Sequence, residues 1–153
     1  MEIVEIKGLF LDKAKEFLES VESLKNIDLD VLNEGVALVD LDEIIGVISY
    51  EKFKKYGLIR YFVFKRKIVD EYILDIFNKI SELAIKRDVK YLFLLVSNGD
   101  VYDLFKELGF TQFDSSNLFI EEDNISKTKY ENSIVMIKEI GGSFCWLLCN
   151  KRL

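Results

Sequence analysis

A chain with no histidine has few residues that can move a proton, and here the list narrows to tyrosines, carboxylates, lysines and two cysteines. Tyr102 stands in "SNGDVYDLFKELGF", residues 97–110, which reads as a short helix stopped by Gly109 with Phe110 just beyond. Tyr102 and Phe105, three residues apart, are neighbours on one side of such a helix. One reading gives the Tyr102 phenol a chemical role. The other reading is a half-exposed aromatic beside a core phenylalanine, and both stay open. The absence of histidine excludes Ser-His-Asp and Cys-His catalysis and any histidine metal ligand. Cys145 and Cys149 lie in "SFCWLLCNK". On a strand they would share a face roughly 13 Å apart, too far for a disulfide. Two thiols alone do not make a zinc site, so both read as reduced thiols.

The chain is acidic, with net charge -6 and a pI near 4.8. That disfavours a general nucleic-acid binder, which needs a basic face, and favours cationic ligands. Two basic clusters interrupt the trend: Lys52, Lys54 and Lys55, then Lys65, Arg66 and Lys67. Both read as solvated turns. The longest apolar run, Tyr91 to Val96, is too short to span a bilayer. The N-terminus "MEIVEIKGLF" lacks the basic region of a signal peptide. A cytoplasmic chain without a membrane partner is expected. Proline is absent and Gln112 is the one glutamine, which fits either a low-GC genome or a heat-loving host.

These residues need a scaffold, and 153 residues suit a single domain, 1–153, with 141–153 as a C-terminal extension. Ile3 to Ile6 reads as a first strand. Asp12 can cap a helix whose apolar positions Ala14, Phe17, Leu18, Val21 and Leu24 recur at helical spacing. "NIDLDVLNEG" is a loop or a short second helix. Val36 to Asp40, Ile44 to Glu51 and Leu58 to Phe64 read as a three-strand meander, with turns at Leu41 to Glu43 and at "KFKKYG". A long helix over Val69 to Arg87 buries Ile73, Ile76, Phe77, Ile80, Leu83 and Ala84. Val89 to Val96 is apolar almost throughout, as a central strand would be. Gly109 can supply a left-handed C-cap for the helix carrying Tyr102, with Phe110 folding back onto it. Leu118 to Glu121, Ile134 to Ile140 and Phe144 to Leu148 are late strands. Strand, long helix, buried strand is a crossover that pairs in parallel. The expectation is an α/β mixed sheet of about six to seven strands, with helices on both faces and that parallel crossover between the strands at 58–64 and 89–96.

This order resembles the GNAT N-acetyltransferases over Ile3 to Ile140. "IIGVISY" is similar to the family's third strand, and "AIKRDVKYLFLLV" to the end of its third helix and its fifth strand. "NGDVYDLFKELGF" is similar to its Asn-x-x-Ala-x-x-x-Tyr-x-x-x-Gly-Phe segment, and "SIVMIKEI" to its seventh strand. The resemblance implies direct attack of a small-molecule or peptide amine on the thioester of acetyl-CoA. The fourth and fifth strands would splay apart, and the backbone of Phe62, Val63 and Phe64 would hold the pantetheine arm and polarise the thioester carbonyl. Asn98 falls on the family's asparagine, which contacts the pantetheine region; its other role is a helix N-cap. The family's tyrosine, which protonates the CoA thiolate, maps to Phe105, so Tyr102, one turn earlier, is the candidate acid. Glu34, Asp40, Asp42 and Glu51 are candidate bases. A homodimer stays open.

The pyrophosphate loop departs from the family. Its Gln/Arg-x-x-Gly-x-Gly/Ala pattern aligns with Ile68 to Ile73, placing Ile68 at the Gln/Arg and Glu71 and Ile73 at the small residues. Glycines let backbone amides approach a phosphate at a helix N-terminus, and Asp70 and Glu71 repel it. Lys65, Arg66 and Lys67 are the side chains left to reach the phosphates, so acetyl-CoA binding is expected to be weak or absent. The alternative to an enzyme is a GNAT-fold binding or regulatory module that has lost catalysis.

Overall fold

The computed structural model describes residues 1–21, 26–96, 99–113, 119–120, 123–124 and 134–141. The elements run β1 (Glu2–Glu5), α1 (Leu9–Val21), α2 (Leu29–Leu32), β2 (Val36–Asp40), β3 (Glu43–Phe53), β4 (Tyr56–Phe64), α3 (Asp70–Lys86) and β5 (Tyr91–Val96). Then come α4 (Gly99–Glu107), β6 (Thr111–Phe113), β7 (Phe119–Ile120), β8 (Asp123–Asn124) and β9 (Ile134–Glu139). Seven strands form one mixed sheet in the order β1-β2-β3-β4-β5-β9-β6, and β7 pairs with β8. β4 and β5 are parallel, as a crossover through α3 requires. The pairs β1–β2, β2–β3, β5–β9 and β6–β9 are antiparallel. No described helix is long and apolar enough to cross a membrane.

Contacts group the described residues into two compact units, Met1–Glu51 with Ile59–Leu83, and Lys52–Leu58 with the chain from Ala84 onward. In the first, Ala14, Phe17 and Leu18 of α1 pack with Ile6, Leu32, Ala37, Val39, Ile44 and Val47. Each of the larger side chains taken from water stabilises by about 1.5–3 kcal/mol. The turn between β2 and β3 consists of Leu41 and Asp42, with φ of 50° and 64°. A two-residue hairpin turn of the primed type needs this left-handed pair. Asp12 is not the helix cap that the sequence suggested. The chain turns earlier, at Gly8 with φ 60°, and Asp12 lies in the first turn of α1. Asp28 does cap α2, its carboxylate accepting the N–H groups of Asp30 and Val31 at 3.1 and 3.3 Å.

In the second unit, β5 pairs with β9 from Tyr91–Glu139 to Val96–Ile134. Leu58, Phe93 and Val135 form a core with Phe53, Tyr56, Leu95, Phe113 and Ile137 around it. Gly109, with φ 96°, ends α4 as expected. The N–H of Phe110 donates to the Phe105 carbonyl at 3.0 Å, and the two rings meet edge to face at 5.2 Å. Lys138 Nζ donates to the Leu108 carbonyl at 2.8 Å, satisfying an acceptor at the C-terminal end of α4. Several boundaries differ from the sequence reading. β1 and β5 are shifted by a residue or two, and β6 was not foreseen. The expected strand over Phe144 to Leu148 lies outside the described residues, as do Leu24, Cys145 and Cys149.

Candidate active site

The parallel ladder between β4 and β5 is short. It runs Tyr56–Tyr91, Gly57–Leu92 and Leu58–Phe93, whereas β4 continues to Phe64 and β5 to Val96. Phe62, Val63 and Phe64, the predicted pantetheine contacts, therefore lie on the part of β4 beyond that ladder, and all three are half-buried. The rings of Phe62 and Phe64 meet edge to face at 5.0 Å. Phe64 packs directly on Gly46 of β3: a Cβ there would stand 2.3 Å from Phe64 Cδ1. Glycine is required at 46 because the ring occupies the space of its side chain. The end of β4 is tied down by the N–H of Lys65, which donates to the Ile45 carbonyl at 2.8 Å.

The three basic residues that follow are not equivalent. Lys65 Nζ pairs with the Glu43 carboxylate, and Arg66 Nη2 pairs with Asp40 Oδ2 at 2.7 Å. Both acids flank the β2–β3 turn. Lys67 is exposed and makes no ion pair among the described residues. Sequence reasoning missed Glu43 and Asp40 as partners, because they are 22 and 26 residues from their cations and only strand register brings them together. After this run, Ile68 is buried at 7% exposure, and so is Ile73. The residues at two of the pyrophosphate-loop positions are thus core residues. Asp70 and Glu71 are exposed in the first turn of α3.

Tyr102 lies on α4, in the second unit, and is half-buried, whereas Phe105 beside it is fully buried. Asn98 lies outside the described residues. The four candidate bases separate by partner. Asp40 is held by Arg66, and Glu51 by Arg60 Nη1 at 2.5 Å. Glu34 accepts the Tyr50 hydroxyl at 3.5 Å. Asp42 borders an open groove of about 380 Å³ between α1 and the β2–β3 turn, with Lys13, Glu16, Ser20, Glu43 and Lys65 also on its wall. No cluster of three or more metal-ligating side chains is present among the described residues.

No protein-family model matches the sequence, and no curated protein matches it. Solved structures do match the fold across nearly the whole chain. The aminoglycoside 6'-N-acetyltransferase from Enterococcus faecium superposes with a TM-score of 0.65 at 15% identity, covering 93% of this chain and 98% of that one. The ribosomal-protein-S18-alanine N-acetyltransferase from Escherichia coli gives 0.63 at 13%, covering 93% and 95%.

The chain has the GNAT fold.

The N-acetylglutamate synthase from Neisseria gonorrhoeae, solved with coenzyme A and N-acetyl-glutamate, gives 0.68 at 16% identity over 92% of this chain and 35% of that chain. A GNAT fold at this level of identity fixes the framework and leaves the site to be argued from its own residues. Of Lys65, Arg66 and Lys67, two have carboxylate partners, and two further acids, Asp70 and Glu71, open α3.

Proposed function

We propose that the protein is a GNAT-type N-acyltransferase that passes an acetyl group from acetyl-CoA directly to an amine, with a weak phosphate site. The observation that carries this reading is the stretch of β4 beyond its three-residue ladder with β5, joined to the fold. Bound acetyl-CoA would supply an acyl thioester open to attack. The backbone of Phe62, Val63 and Phe64 would hold and orient the arm, and N–H groups aimed at the carbonyl oxygen would stabilise charge developing there. Lys65, Arg66 and Lys67 would reach the phosphates through side chains rather than through backbone amides. Tyr102 would hold the proton that the departing thiolate takes, and Asn98 would contact the arm. General acid assistance of this kind contributes about 10² to 10⁴-fold. A small molecule or a peptide would supply the amine, in a single cytoplasmic domain over 1–153.

A second reading, a GNAT-fold module without catalysis, is favoured by the ion pairs on Lys65 and Arg66 and by Asp70 and Glu71 at the start of α3. Thermal unfolding with and without CoA separates binding from no binding. A ligand at 100 times its dissociation constant stabilises by about 2.7 kcal/mol. Release of thiol from acetyl-CoA across a panel of amines then separates enzyme from module. Stabilisation by CoA with amine-dependent thiol release supports the first reading. Absence of thiol release with every amine, with or without stabilisation by CoA, removes the first reading and supports the second.

A further inference from the structure

The first basic cluster, Lys52, Lys54 and Lys55, is absorbed by none of the above, and within the second unit it joins another. The Lys55 carbonyl accepts the N–H of Lys90 at 2.7 Å and that of Tyr91 at 3.2 Å. The Lys90 carbonyl in turn accepts the N–H groups of Ile140 and Gly141 at 2.8 and 3.1 Å. Gly141 permits this approach: a Cβ there would stand 2.6 Å from the Val89 carbonyl oxygen. The β3–β4 turn and the approach to β5 are therefore fixed to each other through backbone. The stretches 52–56 and 86–91 hold six of the chain's 21 basic residues and one of its 27 acidic ones, Asp88. Glu139 lies opposite Tyr91 in the β9 register. Lys52, Lys54, Lys55 and Lys90 are all exposed and make no ion pair among the described residues. That contrasts with Lys65 and Arg66, which have carboxylate partners.

We propose that this patch docks a short acidic segment of a partner protein, a run of Asp or Glu side chains. Charge complementarity argues for an anion: uncompensated lysines are concentrated on a rigid frame in a chain whose net charge is -6. The aromatic residues argue against single-stranded nucleic acid, which needs open ring faces on which bases stack. Tyr56 and Tyr91 stack on one another at 5.4 Å, and Phe93 meets Tyr56 edge-on at 6.2 Å. The Lys55 ammonium lies over both tyrosines, at 5.6 and 5.8 Å from their centroids. The rings thus hold Lys55 in place instead of offering a platform. An acidic remainder also repels a polyanion long enough to run beyond the patch.

The test is fluorescence anisotropy of the full chain with a labelled octaglutamate peptide and, separately, a labelled octauridylate RNA, at low and physiological salt. The peptide is expected to bind, to weaken as salt rises, and to bind the Lys52→Ser, Lys54→Ser, Lys90→Ser variant about tenfold more weakly. A variant with Lys65→Ser and Lys67→Ser should bind it as the native chain does. Lys52→Arg, Lys54→Arg, Lys90→Arg should retain binding, and the melting temperatures of both variants at 52, 54 and 90 should match that of the native chain, since those side chains are exposed and make no ion pair among the described residues. Absence of peptide binding at low salt overturns the proposal. So does equal loss in both serine variants, or binding of the RNA in preference to the peptide.

Discussion

Replacing Glu43 by Gln and Asp40 by Asn should tighten CoA binding if Lys65 and Arg66 serve the phosphates. Both pairs are accessible, with side-chain exposures of 50% and 60% for Lys65 and Glu43, and 53% and 29% for Arg66 and Asp40. Exposed pairs of this kind contribute about 0–1 kcal/mol each, so the double substitution should lower stability by no more than about 1–2 kcal/mol. In the native chain each cation must leave its carboxylate before it can contact a phosphate. Removing the competitors returns about 0.5 kcal/mol per pair on the same scale, or about fivefold in the dissociation constant for the two together. The loss of two carboxylates beside the phosphates adds to that gain. Isothermal titration calorimetry with CoA at low and high salt reads the effect. The gain should shrink as salt rises, because the screening length falls from about 10 Å at 0.1 M to about 3 Å at 1 M. An unchanged or weakened affinity at low salt, with melting preserved, would show that Lys65 and Arg66 do not contact the phosphates.

Other outcomes follow from single residues. Gly46→Ala would set a methyl group 2.3 Å from the Phe64 ring, so a loss of about 1–3 kcal/mol in urea unfolding is expected, together with weaker CoA binding. Ser49 is fully buried and its hydroxyl has no hydrogen-bond partner among the described residues. Ser49→Ala should therefore leave stability unchanged or raise it by about 1 kcal/mol, and a melting point lower by several degrees would contradict this. Leu41 is 94% exposed with φ 50°, and Asp42 has φ 64°. Leu41→Asn with Asp42→Gly, the residues such a turn prefers, should stabilise by about 0.5–1 kcal/mol in the same assay. Tyr102→Phe should lower turnover at least tenfold in the thiol-release assay, and unchanged turnover across pH would remove Tyr102 as the acid.

Much of the framework was legible because burial and period agree along the chain. β2 was read with its bounds, Val36–Asp40, since an almost wholly buried run ends at a polar turn. α3 was read within a residue at each end, because its buried stripe repeats at helical spacing and acids open it. β6 left no signal: it has three residues, two of them exposed, and its place is set by pairing with β9. The start of α1 was misread because Asp12 offers a cap, while the turn at Gly8 lets the helix begin at a strongly exposed Leu9. At the candidate site, the backbone role proposed for β4 comes from the family resemblance and does not depend on side-chain identity. The pairing of Lys65 with Glu43 and of Arg66 with Asp40 could not be read from the sequence, because it depends on where the β2–β3 turn meets the end of β4. The burial of Ile73 was read from the helical stripe, and it makes that position a poor one for glycine, whose introduction would leave a cavity as well as weaken the helix.

The central claim is that acetyl-CoA is held by the backbone of β4 beyond its ladder with β5. Amide hydrogen exchange of the native chain, with and without saturating acetyl-CoA, tests it most directly. The account predicts slowed exchange at Phe62, Val63 and Phe64; unchanged exchange there, with acetyl-CoA shown to be bound by calorimetry in the same buffer, would contradict it.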